Sequence, residues 1–389
     1  MDFQKYIDHD YMVKIRRQLH MYPELSFDLP RTLALIRSEL EQMGVSYTEK
    51  YGKSSIVAFI NDEKKDFTIA FRADTDALPI TETNDVPYKS QIPGQMHACG
   101  HDVHTAALLG TVRALNAVKE QINCRLAFLF QAAEEGPSGA KLMVEDGVCD
   151  EFDVIVSCHV ENRIDAGNII ARDGATFACV NNFSITITGM TGHAAAPHAA
   201  KDPLQEGVIL YEALNRLTRE TDPTVASVLT VTALQSGSRA NIIPADCTLI
   251  GTLRTHSNDS ARHIQSRIQE LCDQINAKEG FSCTCHIDRG HGAVVCDPKI
   301  AALVRSAAQA AGVNVLLPTT GAPMYGEDFA YYSQRKPNSY FFLGTRSIPD
   351  GKIGMTHNSD FDVDENALDC AAKVFCSFVN ENMNGIPME

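Results

Sequence analysis

A chain of 389 residues, 44% hydrophobic and 21% charged, exceeds one ordinary domain and falls short of three, which predicts two domains with a sizeable core and excludes disordered or fibrous structure. With 34 Lys and Arg against 49 Asp and Glu, the net charge of -15 repels nucleic acid and anionic membranes, so neither is expected as a partner. The first ten residues lack a basic region followed by an apolar run, no stretch reads as a membrane span, and 12 cysteines sit at irregular spacings, so a soluble, cytoplasmic protein with reduced thiols is expected.

In chain order, Tyr11 to Met21 reads as an amphipathic helix, with Met12, Ile15 and Leu19 on its apolar face and Arg16 and Arg17 toward water; Pro23 ends it. A second helix from Arg31 to Met43 closes at Gly44. Three buried-type strands follow, each stopping abruptly at polar residues able to bind metal. Phe67 to Phe71 runs into Arg72, Asp74 and Asp76; Leu126 to Phe130 runs into Gln131, Glu134 and Glu135; Val154 to Val156 runs into Ser157, Cys158 and His159. Helical patterns at Thr105 to Leu115 and Ala140 to Glu145 separate them. This alternation predicts a mixed, largely parallel α/β sheet with helices on both faces, which gathers ligands at the carboxyl ends of its strands.

From Cys179 the texture changes. Alternating Phe183, Ile185 and Ile187, a helical Leu204 to Leu217, strands at Val225 to Leu234 and Cys247 to Leu253, and a helix from Ala261 to Asn276 predict an inserted ferredoxin-like α+β domain. Helical spacing returns at Ile300 to Ala311, and Ser339 to Leu343 is expected to rejoin the first sheet. The boundaries fall at 1–178 and 292–389 for the sheet domain and 179–291 for the insert.

The sharpest local signal is Met96-His97-Ala98-Cys99-Gly100-His101-Asp102-Val103-His104. Cys99 and His101 straddle a glycine just before a helix, and thiolate and imidazole suit zinc and other borderline divalent metals. A satisfied structural histidine cluster at a helix start is the alternative. Glu134 and Glu135 beside a buried strand need a positive partner; a metal would supply one, with one carboxylate ligating and its neighbour, pointing the other way, handling protons. A solvated loop pair is the alternative there. His159 and His357 offer further nitrogen donors, and Asp76, Cys99, His101, Glu135 and His159 all fall where such a sheet would gather them. Cys283-Thr284-Cys285-His286 has the wrong spacing for a zinc knuckle and reads as strand. No Gly-x-Ser-x-Gly elbow and no phosphate-binding glycine fingerprint occur.

Further motifs run nearly end to end: Arg17-Gln18-Leu19-His20-Met21-Tyr22-Pro23-Glu24, Arg72-Ala73-Asp74-Thr75-Asp76-Ala77-Leu78-Pro79, the Cys99 segment, Ala133-Glu134-Glu135-Gly136, Gly192-His193-Ala194-Ala195-Ala196-Pro197-His198, Gly326-Glu327-Asp328-Phe329 and Met355-Thr356-His357-Asn358. In this order the chain resembles the metallopeptidase-like amidohydrolases that include hippurate hydrolases, aminoacylases and plant indole-acetyl-amino-acid hydrolases. The resemblance implies metal-dependent hydrolysis of the amide bond of an N-acyl amino acid. It assigns Cys99, His101, Glu135, His159 and His357 to two divalent metal ions per subunit, zinc or manganese first and cobalt or nickel as alternatives, with Glu134 as general base and acid. It makes 179–291 a lid and dimerisation domain of a homodimer, with His193 stabilising the oxyanion in the neighbouring subunit's site and Asn241 and Arg254 holding the substrate carboxylate. Pro137-Ser138 and Glu161-Asn162-Arg163 depart from the usual pattern near the pocket rim and leave the substrate open. A dipeptidase or carboxypeptidase of the same superfamily is a second reading, and a catalytically silent metal-binding scaffold a third.

Overall fold

The computed structural model describes residues 3–347 and 354–387; Met1, Asp2 and positions 348–353 and 388–389, which the sequence reading places in the sheet domain, lie outside the described residues. The chain forms two compact units, one of Met1–Gly174, Val295–Gly321 and Tyr331–Glu389 and one of Ala175–Val294 with Ala322–Ala330. No helix among the described residues is long and apolar enough to cross a membrane.

The first unit is built on an eight-stranded mixed sheet. Its strands run in the order Ser46–Thr48, Ile56–Ile60, Arg125–Gln131, Thr68–Asp74, Val154–Asp165, Asn338–Arg346, Asn168–Ala171, Asn314–Val315. The four middle strands are mutually parallel, and antiparallel pairs join the flanking strands to them. These middle strands are buried along almost their whole length, which is why they read as continuous apolar runs rather than alternating ones. On one face Phe71 packs against Phe128 and against Phe375 of the helix Asn366–Asn382, with ring centroids 5.9 and 4.8 Å apart. On the other, the buried Arg72 donates to Gln131 at 3.0 Å and to Asp74 at 2.7 Å, and Tyr332 also bonds Gln131.

Capping residues set the helix ends. Asp8 accepts from the Tyr11 N–H to start the helix His9–Met21, and Gly44, at φ 66°, closes Pro30–Met43 by returning its N–H to Glu41 and Leu40. The helix His101–Asn116 is buried nearly all round, as its place against the sheet and against the helices His9–Met21 and Asn366–Asn382 requires.

One expectation fails here. Arg16 does not face water; it is fully buried, with Nε 2.9 Å from Asp102, Nη2 3.0 Å from Asp362 and Nη1 3.4 Å from Glu365. Asp102 follows His101 into the core, where a carboxylate needs a cation, and helical periodicity carries no information about a partner 86 positions away.

The second unit has the β-α-β-β-α-β order. Its strands Cys179–Thr188, Ser227–Ser236, Asp246–Thr255 and Ser282–Arg289 form an antiparallel sheet with the helices Pro203–Leu214 and Asn258–Asn276. The strand order, second-third-first-fourth, is that of a ferredoxin-like fold, and Phe183, Ile185, Ile187, Leu249, Ile264 and Ile268 fill its separate core. Cys283 and Cys285 lie on its fourth strand, as their spacing indicated.

Candidate metal centre

Parallel register brings the three strands together. Asp74 pairs with Gln131 and Arg72 with Ser157, so Asp76, Glu134 and Glu135 emerge just beyond their strands beside His159, whose own strand does not stop there as expected but runs on to Asp165, paired with Asn338–Arg346. The helix carrying His101 begins at that edge behind Gly100, which adopts φ 78° and where a Cβ would come 2.6 Å from Val160; only glycine fits. His357 arrives from a remote segment whose backbone N–H donates to the carbonyl of Ala98 at 2.7 Å.

Among the candidate donor groups that result, two share Cys99. One donor atom from each of Cys99, His101 and His159 lies within 4.8 Å of the others, and the same holds for Cys99, Glu135 and His357. Cys99 Sγ is 3.2 Å from His159 Nε2, and His357 Nε2 is 3.2 Å from Glu135 Oε1. Asp76 accepts the backbone N–H groups of Glu134 at 2.9 Å and Glu135 at 3.1 Å and so shapes the turn that presents both carboxylates. Ala133 precedes them at φ 55°, a left-handed conformation that costs a non-glycine residue of order 1 kcal/mol. In this turn the carboxylates do not point opposite ways as the sequence reading expected. Oxygens of Glu134 and Glu135 both come within 4.8 Å of His101, because alternation belongs to extended strands and the turn is not extended.

The electrostatics ask for a cation. Burial and the Glu135 and Glu134 carboxylates push the Cys99 thiol well above its ordinary value. Burial alone would lower His101, but Asp74 and Asp76 raise it to about 10. Glu135 is held down against burial by His357 and His101, and Asp74 lies well below the usual carboxylate range against burial because His101, His104 and Arg72 face it. Nδ1 of the buried His101 faces Asp76 at 3.5 Å and Asp74 at 3.8 Å, and its Nε2 has no hydrogen-bond partner among the described residues. An unpartnered imidazole nitrogen amid thiol, imidazole and carboxylate donors fits a divalent ion of borderline softness.

The remaining residues singled out in the sequence lie in the second unit. His193 pairs with Ile242 in a short ladder, exposed, and the Ala194 N–H donates to the Asn241 carbonyl at 3.1 Å, so these two residues are brought together. Arg254 stands on the strand Asp246–Thr255, half-buried, bonding Thr252 and the carbonyls of Asn181 and Leu253. Burial lowers its pKa, and no carboxylate pairs with it among the described residues. Sequence reasoning missed His104, whose Nδ1 lies 2.5 Å from Asp74; its position three residues after His101, on the same helical face, was the available signal.

The chain matches the family described as Peptidase family M20/M25/M40 over residues 70–381. It is similar to the N-acetyl-L-cysteine deacetylase of Bacillus subtilis, 36% identical over 358 residues and covering 92% of this chain and 84% of that one. It is also similar to thermostable carboxypeptidase 1 of Saccharolobus solfataricus, 34% identical over 369 residues with 93% of each chain covered. Among solved structures, the Bacillus subtilis YXEP protein, described as a dinuclear metal binding peptidase of the M20 family, superposes with a TM-score of 0.84 at 28% identity, covering 97% of this chain and 99% of that one.

Proposed function

The chain belongs to Peptidase family M20/M25/M40 and is a metal-dependent hydrolase, and we propose that it cuts the amide bond of an N-acyl amino acid. The observation that carries this reading is the convergence of Cys99, His101, His159, Glu135 and His357 into two donor groups beside the Glu134 carboxylate. A deacetylase of an N-acetyl amino acid among the relatives supports the substrate class, and a dinuclear relative supports two ions.

These five residues would hold two divalent ions, which when bound would supply Lewis acidity to the amide carbonyl and lower the pKa of an attacking water. Glu134 takes the proton from that water and returns it to the leaving amine. His193 Nδ1 accepts the Ala195 N–H at 3.1 Å, so its ring proton sits on Nε2, where it donates to the oxyanion of the tetrahedral intermediate. Arg254, a guanidinium with no paired carboxylate among the described residues, and Asn241 hold the carboxylate of the substrate.

His193 acts on the neighbouring subunit of a homodimer in this reading. In support, Val208, Ile209 and Tyr211 are exposed apolar residues on the helix Pro203–Leu214 of the second unit. A cytoplasmic location agrees with twelve unpaired cysteines.

The test is hydrolysis of acetyl- and benzoyl-amino acids by metal-stripped protein refilled separately with zinc, manganese and cobalt. Metal-restored turnover of one acyl series ahead of dipeptides is expected; inactivity with every metal refutes the reading. Carboxypeptidase action is the second reading, favoured by the carboxypeptidase relative, and faster cleavage of dipeptides in the same panel would establish it.

A further inference from the structure

Behind the donor groups, one buried imidazole touches both elements that carry their histidines. His104, 2% exposed, sits one turn into the helix His101–Asn116. Its Nε2 accepts the backbone N–H of Val160 at 3.0 Å, so its proton resides on Nδ1, which donates to Asp74 Oδ1 at 2.5 Å. That oxygen stands 3.8 Å from His101 Nδ1, while Arg72 occupies the other Asp74 oxygen at 2.7 Å and Thr105 donates to the Asp74 carbonyl at 2.9 Å. The following peptide is held by His159, whose Nδ1 donates to the Val160 carbonyl at 2.8 Å and whose Nε2 thereby faces Cys99.

Backbone pairing between the strands Thr68–Asp74 and Val154–Asp165 ends at Arg72 with Ser157, two residues short of His159. Past that point the strand Val154–Asp165 runs on, paired on its other side with Asn338–Arg346 through Glu161, and His104 supplies the link from Val160 back to Asp74. We propose that His104 is a positioning residue, which fixes the Asp74 carboxylate that faces His101 beside Asp76 and holds the backbone next to His159 at Val160. The inference rests on the metal reading above, and it goes further by separating the two donor groups. Of the two groups, His101 and His159 belong only to the first and adjoin the His104 bridge, Cys99 is common to both, and Glu135 and His357 make no hydrogen bond or ion pair with His104 among the described residues. Outer contacts of this kind are worth about 10–100-fold in metal affinity.

The experiment is a titration of metal-stripped, full-length protein with Co(II) against a competing chelator, following the thiolate-to-cobalt absorption that Cys99 contributes. Wild type is expected to take up two ions. In His104→Leu one ion should weaken about 10–100-fold, and the other, which shares only Cys99 with that group, by clearly less. His104→Gln, whose amide oxygen can still accept the Val160 N–H, should recover part of the loss, and it carries the test if the leucine variant does not fold. Independently, imidazole ¹⁵N spectra of wild type should show His104 protonated on Nδ1. Unchanged affinities, an equal loss at both ions, or a ring protonated on Nε2 would overturn the proposal. Uptake of fewer than two ions by wild type would refute the two-ion reading instead, with the tautomer still deciding the role of His104.

Discussion

Replacing Arg16 by methionine should destabilise the protein by about 3–5 kcal/mol, the usual cost of removing one partner from a buried ion pair. Methionine keeps the apolar stem in place but strips Asp102 of a guanidinium 2.9 Å away, and both side chains are fully buried. Asp362 and Glu365, 3.0 and 3.4 Å from the same guanidinium, are partly exposed and recover solvent at smaller cost. Such a loss lowers the melting temperature by roughly 6–20 °C for a domain of this size. The assay is thermal unfolding followed by circular dichroism at pH 6 and pH 9. Asp102 is held well below the ordinary carboxylate pKa of about 3.9, against burial, by Arg16 and His20; its contribution is present above that value and fades only as pH falls through the depressed one. The carboxylate is therefore charged at both test conditions. His20, 2.7 Å from Asp102, is raised despite burial and the nearby Arg16, so its contribution is complete below about pH 6.5 and is lost as pH rises through the raised value. In the variant only the His20 imidazolium remains to neutralise Asp102, so the deficit should be larger at pH 9 than at pH 6. Adding Asp102→Asn to Arg16→Met should recover part of the loss. A deficit below about 1 kcal/mol, or one indifferent to both pH and Asp102, would refute the assignment of this pair as a structural anchor.

Glu134→Gln should lower kcat about 10²–10⁴-fold, the range for removing a general base, while metal analysis still finds two ions per chain, because Asp76 holds the backbone at this position and not the side chain. Activity within tenfold of wild type would remove Glu134 from the chemistry. Arg254→Met should raise KM about 10–100-fold for an acyl amino acid with a free carboxylate and leave hydrolysis of the corresponding amide nearly unchanged, as a charge-assisted hydrogen bond to that carboxylate requires. Equal effects on both substrates would place Arg254 in a purely structural role.

The relation between motif and place in the fold explains how much could be read beforehand. Phe67 to Phe71, Leu126 to Phe130 and Val154 to Val156 announced a buried parallel sheet because strands covered on both faces must be apolar throughout, and their abrupt polar ends marked the edge where ligands gather. Alternation at Phe183, Ile185 and Ile187 announced a sheet covered on one face only, and the second unit is one. Arg16 went wrong because periodicity reports a face, and a charged residue on a helix is assigned to water unless its partner is known. His104 was overlooked because its meaning lies in the Val160 peptide and Asp74, neither of which local spacing connects to it.

What the sequence determined by itself, then, was the kind of element each segment forms and the kinds of donor atom available, since burial pattern and side-chain chemistry are local properties of the chain. Only the tertiary structure decided which donors meet. The loop holding His357 is pinned to Ala98, Cys99 is shared between two donor groups, and Glu134 and Glu135 converge in a turn where a strand would have parted them. Those outcomes depend on register, turn geometry and contacts between segments far apart in the chain, which packing establishes and no local pattern encodes.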